Sequence, residues 1–368
     1  MMNELPSILE AKNIRVVKGG TLLLDIPSLV IWEGEVLSLI GPNGAGKTTL
    51  LQTLSYLEKP FRGGILFRSQ SVNSNHYSTI EYRRKLAMVF QEPLLFDTTV
   101  FNNVASGLRI RGMKRGEIRD RAMGQLERFG ISHLNNRSAH TLSGGEAQRT
   151  SLARAFAIQP EILFLDEPFA SLDPPSRESL IEDLERILRQ TRTTTIFATH
   201  DRMEALRLSD RIAVMNGGKL LQVGTPREVT YQPMSEFIAS FVGVETILTG
   251  KVIKNEGGTL VAFVEGQEVE AVGEAQLGEA VILCIRPENV TLSINPLREA
   301  TSARNVFPGK VEKIVSLGLY QKIRIQCGFP IVAYVTNQSV ENLSLKDGKE
   351  VTASFKATAI HVIRKREK

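Results

Sequence analysis

The chain has 368 residues, enough for two or three domains with separate cores, and its 42% hydrophobic and 23% charged residues are ordinary for a globular protein. No apolar run reaches the ~20 residues needed to cross a bilayer, and residues 1–6 lack the basic start and apolar core of a signal peptide. These features point to a cytosolic protein, or one docked on a membrane protein from the cytosolic side, and the mild net charge of +5 with dispersed basic residues argues against a nucleic-acid partner.

The terminal run Arg364-Lys365-Arg366 reads as a solvated tail. Cys284 and Cys327 sit in separate strand-like runs without Cys-x-x-Cys spacing, so they read as core thiols.

Residues 8–40 alternate short apolar runs with turns at Gly19-Gly20 and Trp32-Glu33-Gly34-Glu35, a pattern of antiparallel strands. The run Val36-Leu37-Ser38-Leu39-Ile40 then meets Gly41-Pro42-Asn43-Gly44-Ala45-Gly46-Lys47-Thr48-Thr49, followed by Leu50-Leu51. This order predicts a buried strand, a turn on which backbone N–H groups converge, and a helix from Lys47 to about residues 58–60. Such a loop cradles phosphate: amides and the helix N-terminus would hold a β-phosphate, Lys47 would bridge β- and γ-phosphates, and Thr48 would bind Mg²⁺.

Residues 62–67 and 85–90 read as further strands, the second leading to Gln91, whose carbonyl oxygen could reach Mg²⁺ and an attacking water from a mobile loop. Residues 98–141 read as helices rich in Arg and Glu, one of them spanning about 114–129. The stretch Leu142-Ser143-Gly144-Gly145-Glu146-Ala147-Gln148 follows, with a helix expected over 146–157 and exposed amides at its start suited to a γ-phosphate.

Ile162-Leu163-Phe164-Leu165-Asp166-Glu167 predicts a buried strand ending in two carboxylates. Asp166 would hold Mg²⁺ through water and Glu167 would polarise the attacking water as general base. Ser171-Leu172-Asp173-Pro174 predicts a helix capped by Asp173, with Leu180, Ile181, Leu184, Ile187 and Leu188 forming its apolar stripe. A strand over residues 193–198 delivers His200, placed to contact a γ-phosphate and orient water.

Taken in this order, the motifs over residues 8–240 resemble those of ATP-binding subunits of ABC transporters. The stretch from Leu142 to Gln148 discriminates among P-loop ATPases. The resemblance implies ATP and Mg²⁺ as cofactors and a head-to-tail homodimer, with ATP between Lys47 of one copy and Ser143, Gly144, Gly145 and Gln148 of the other, beside Asp173. It further implies two integral membrane permease subunits, an external substrate-binding protein and a peripheral location on the cytoplasmic face of the plasma membrane. An adenine-stacking aromatic is expected in the first loop of this family. Here the loop reads Val16-Val17-Lys18-Gly19-Gly20, leaving Val17 or the Lys18 stem to hold the base.

From residue 244 onward, β-branched runs separated by Gly-containing turns predict an all-β appendage of two small barrels with a break near Asn295-Pro296. The expected fold is an α/β P-loop ATPase core with antiparallel β and helical subdomains, then an all-β C-terminal domain of two small OB-like barrels. The boundaries are 1–243 for the ATPase domain, with a helical subdomain at about 92–150, and 244–368 for the regulatory domain. Residues of about 300–366, with Ser302, Arg304, Asn305 and Lys356, resemble a molybdate-binding Mop-type (TOBE) module. Their hydroxyl, guanidinium, amide and ammonium donors could surround a dianion such as molybdate, tungstate or sulfate, and the resemblance implies molybdate or tungstate as a regulatory ligand.

The expected function is therefore the ATP-hydrolysing subunit of a molybdate or tungstate importer, with feedback inhibition by intracellular oxyanion through the C-terminal domain. Alternatives are a sulfate, ferric-ion or polyamine importer whose C-terminal domain only stabilises the dimer, and a non-transport ABC ATPase. An oxyanion storage protein would account only for the tail.

Overall fold

A computed structural model describes residues 6–73, 77–294 and 301–365. They form two compact units that divide between Pro226 and Arg227, earlier than the compositional change at 243–244. Residues 227–243 are tied to the second unit: Arg286 donates to the Thr230 carbonyl and lies 5.0 Å from the Tyr231 ring centre, while His361 Nε2 is 3.0 Å from the Pro233 carbonyl. The expected break at Asn295-Pro296 and the tail residue Arg366 lie outside the described residues.

The first unit is built on a six-stranded sheet in the order Lys219–Gly224, Arg211–Asn216, Val36–Ile40, Thr194–Thr199, Ile162–Asp166, Leu86–Val89. All neighbours are parallel except the hairpin formed by the first two. Side chains alternate across it. Leu163 and Leu165 enter an apolar cluster with the helices Val100–Ile110, Arg115–Arg128, Gly144–Ala157 and Pro174–Thr191, while Ile162 and Phe164 enter another with the helix Lys47–Leu54. Burial on both faces explains why these strands read as near-continuous apolar runs.

Strands Ser7–Lys18 and Thr21–Trp32 pair antiparallel, as expected, but Val36–Ile40 leaves that hairpin for the parallel sheet. The helix after the glycine loop stops at Leu54, before residues 58–60. Gly144 and Gly145 lie inside the first turn of their helix, which Ser143 caps, so it starts earlier than residue 146.

From Thr246 onward the second unit is mainly β, in two five-stranded sheets, with the short helices Pro226–Tyr231 and Glu236–Phe241 before them and Asn337–Asn342 between strands. The sheets do not follow one another along the chain. Thr291–Ser293 crosses to pair with Glu350–Phe355, and Ile360–Arg364 crosses to pair with Ala280–Ile285. Each crossing follows a single 3₁₀ turn, Pro287–Asn289 or Ala357–Ala359. Because each sheet takes a closing strand from the other half, one apolar core containing Leu248, Leu283, Phe307, Ile325 and Phe355 serves both.

Candidate active site

Sheet register brings the scattered motifs of the first unit to one edge. Ile40 pairs with Thr199, Asp166 with Ala198 and Val89 with Leu165, so Gly41, His200, Glu167 and Gln91 all emerge where parallel strands end at their carboxyl side. Open α/β sheets bind ligands in the crevice beyond that edge.

The glycine loop turns sharply because two of its positions exclude a side chain. Gly41 has φ +155°, and a Cβ there would lie 2.2 Å from the Met215 carbonyl oxygen. Gly46, at φ +100°, caps the helix Lys47–Leu54, and a Cβ there would meet Leu24 Cδ2 at 2.8 Å. Lys47 is 5% exposed, and its Nζ donates to the carbonyls of Gly41 at 2.9 Å and Pro42 at 3.2 Å, with Glu167 Oε1 at 3.9 Å. Burial pulls its pKa down, with Glu167 and Asp166 opposing.

Thr48 Oγ1 donates to Asp166 Oδ1 at 3.0 Å. Burial pushes the Asp166 carboxyl up, the Thr48 hydrogen bond opposes this, and neighbouring Glu167 adds to the rise. Glu167 holds a left-handed backbone, φ +44°, unusual outside glycine, with its N–H donating to the Ala198 carbonyl at 2.9 Å. Its Oε2 lies 3.0 Å from His200 Nδ1.

A cavity of about 380 Å³ is lined by Leu23, residues 43–49 and Glu167. Its donors fit a nucleotide phosphate chain: loop amides, a helix N-terminus and a buried ammonium. Hydroxyl and carboxylate oxygens at Thr48 and Asp166 suit Mg²⁺. Among the described residues no cluster of three or more His, Cys, Asp or Glu side chains could hold a metal by itself.

Other expected residues do not line this cavity. Gln91 is exposed in the loop after Leu86–Val89. Ser143 and Gly144 are exposed at a helix start, where Ser143 N–H donates to Glu146 Oε2 at 2.7 Å and Glu146 N–H to Ser143 Oγ at 3.3 Å. Gln148 does not join them. It is fully buried, and neither its Oε1 nor its Nε2 has a hydrogen-bond partner among the described residues, because its helical phase places it with buried Ser151, Leu152 and Ala155. Asp173 caps Pro174–Thr191, accepting from Ser176 N–H at 3.2 Å. In the first loop Lys18 is committed to Glu58 at 3.2 Å, while Val17 stays partly exposed beside exposed Leu22.

Strand register brings three of the four oxyanion candidates to one end of a strand pair, since Asn305, next to Arg304, pairs with Phe355, next to Lys356, but they differ in how free they are. Asn305 is 1% exposed, and its amide is spent on the backbone of Glu270, accepting from its N–H at 2.9 Å and donating to its carbonyl at 2.8 Å. Arg304 is largely exposed, 3.9 Å from Glu270 Oε1, and Ser302 and Lys356 are exposed. Asn305 is thus a brace within the β unit rather than a free ligand.

Sequence reasoning missed Glu204. It is 5% exposed and bonded to Thr199 and Arg177, and it lies four residues after His200 with its cation on a helix distant in sequence.

Comparison with known proteins agrees with this geometry. Residues 24–170 match the family model for ABC transporter and residues 301–362 that for the TOBE domain. The molybdate/tungstate import ATP-binding protein WtpC of Pyrococcus horikoshii is 38% identical over 91% of this chain and 94% of its own. The spermidine/putrescine import ATP-binding protein PotA of Treponema pallidum is 36% identical over 84% of this chain and 83% of its own. Among solved structures, cbiO1 of Clostridium perfringens, part of the ABC transporter complex cbiONQ, superposes with TM-score 0.58 at 31% identity, over 65% of this chain and 96% of that one.

Proposed function

Since the chain belongs to the ATP-binding subunits of ABC importers, which are ATPases coupled to transport, we propose that its cargo is molybdate or tungstate. The observation that carries this reading is likeness to the molybdate/tungstate import protein along nearly the whole chain, through both the ATPase and the TOBE regions. Likeness to spermidine/putrescine import proteins is lower in identity, 36% and 34% against 38%, but runs as far as 97% of the chain, and supports a second reading with a polyamine as cargo. The test is uptake in cells lacking the gene. Restored molybdate or tungstate uptake by the wild-type chain but not by Glu167→Gln supports the first reading; restored spermidine uptake alone overturns it.

For the hydrolytic step, loop amides of residues 43–49 would grip the β-phosphate, and Lys47 would leave the Gly41 and Pro42 carbonyls for the β- and γ-phosphates. Thr48 and Asp166 would hold Mg²⁺, with Gln91 reaching it from its loop. When bound, the ion neutralises charge developing on the phosphates. Glu167 would accept the proton of the attacking water, and His200, bonded to Glu167, would orient it toward the γ-phosphate. A second copy would complete the site with Ser143, Gly144 and Gly145 beside Asp173, Ser143 exchanging its bond with Glu146 for phosphate oxygen. Gln148 is left out because it is buried. Adenine would lie against Val17 and Leu22.

Such a homodimer would sit peripherally on the cytoplasmic face of the membrane, moving two permease subunits served by an external binding protein. Residues 1 to about 226–243 would form the ATPase domain, and the remainder a regulatory domain restrained by intracellular oxyanion. Arg304, Ser302 and Lys356 are exposed in one copy, so a dianion site there would need donors from a second.

A further inference from the structure

His200 rests on a short loop, and its side chain is 54% exposed with Glu167 as its contact. A histidine so placed would swing freely unless the backbone on either side were held. Both neighbours are held. Thr199 Oγ1 donates to buried Glu204 Oε2 and accepts from Asp201 N–H at 3.0 Å. Asp201 Oδ1 caps the helix Arg202–Leu208, accepting from Met203 N–H at 2.7 Å.

One cation joins the two. Arg177 donates to Glu204 Oε1 through Nε at 2.9 Å and Nη2 at 2.5 Å, and Nη2 also reaches Asp201 Oδ2 at 2.5 Å. Arg177 stands one turn into the helix capped by Asp173, and its own N–H donates to the Asp173 carbonyl at 2.9 Å. Burial pushes the Glu204 carboxyl up while Thr199 and Arg177 hold it down, so removing either partner would leave a buried acid without its compensation.

We propose that Arg177 and Glu204 are positioning residues for ATP hydrolysis, clamping the backbone on both sides of His200 so that its imidazole stays aimed at Glu167. The proposal rests on the role given to His200 above. Through Arg177 the clamp also ties His200 to the Ser171-Leu172-Asp173 loop, so displacement of that loop would be felt at the imidazole. The phosphate loop shares no bond with the clamp among the described residues, so ATP binding should be spared.

The test is steady-state Mg²⁺-ATP hydrolysis by the full-length chain with Glu204→Gln, Arg177→Met, Arg177→Lys and His200→Ala, and with Glu204→Gln combined with His200→Ala. The expected result is a loss of kcat between about tenfold and a hundredfold for Glu204→Gln and Arg177→Met, with KM for ATP within about twofold. Arg177→Lys should recover part of the loss, and Glu204→Gln should cost nothing further once His200 is alanine. If His200→Ala slows turnover but the clamp variants do not, or if their effects multiply with that of His200→Ala, the positioning inference falls and the role of His200 stands. Unchanged turnover in His200→Ala overturns both. Thermal unfolding of each variant guards against misfolding: kcat should fall in protein that is still folded at the assay temperature, and a kcat that follows only the folded fraction across all variants would overturn the proposal.

Discussion

Replacing Asn305 with alanine separates a structural brace from a ligand. The amide makes two hydrogen bonds, 2.9 and 2.8 Å, to the N–H and carbonyl of Glu270 on the edge strand Gln267–Val272, standing in for the neighbouring strand that edge lacks. Each bond contributes about 1 kcal/mol net, and part of the desolvation cost of the Glu270 backbone is added, since water reaches that partly exposed residue only incompletely. The sum is about 2–4 kcal/mol. For a unit of residues 227–368 this lowers the melting transition by about 6–12 °C.

Calorimetry of the full chain is the appropriate assay, because the one tryptophan, Trp32, lies in the other unit and its fluorescence would miss the change. Asn305→Asp should be at least as damaging, because it removes the donor and sets a carboxylate against the Glu270 carbonyl. A C-terminal transition within about 2 °C of wild type for Asn305→Ala would refute the bracing argument.

Other substitutions probe the phosphate site and the core. Lys47→Ala should weaken ATP binding by roughly tenfold to a hundredfold in an equilibrium titration, as lost charge-assisted hydrogen bonds predict, without lowering thermal stability, because the ammonium is already disfavoured by burial. Glu167→Gln should keep ATP bound yet slow turnover by about 10²–10⁴-fold in a phosphate-release assay. Gly41→Ala should yield little folded protein, since its Cβ would lie 2.2 Å from a backbone oxygen that cannot move aside; normal solubility and ATP binding would contradict this. Burial pushes the Cys284 thiol up to about 12 and the Cys327 thiol up to about 11, so both remain protonated as pH rises to 8–9. A thiol-reactive dye should label neither in the native protein and both after denaturation.

The elements of the candidate site could be read directly because each is a contiguous stretch whose chemistry is local. An apolar strand, its loop and the next helix cap are consecutive residues, so Lys47 with Thr48, Asp166 with Glu167, and His200 could each be placed at a strand end from spacing alone. Asp173 likewise announces itself as a helix cap, because a cap depends on backbone groups three residues away, whereas the helix that Ser143 caps was expected only from residue 146. That these strands lie side by side in the order that brings Glu167 within 3.0 Å of His200 is a matter of sheet register, which local pattern does not specify.

The remainder was decided by contacts between residues far apart in the chain. Asn305 looked like an anion donor until an edge strand 35 positions away claimed its amide. Gln148 belonged to a phosphate-binding motif by sequence, but the helix turned it into the core. The two C-terminal modules looked sequential, yet each lends a strand to the other, since neither half alone closes its apolar face. Arg177 and Glu204 carried no local signal at all. Composition and local pattern determined the chemistry available to this protein, while tertiary packing determined which polar groups remain free to use it, because burial takes a donor or acceptor away from solvent and ligand, with a partner at Asn305 and without one at Gln148.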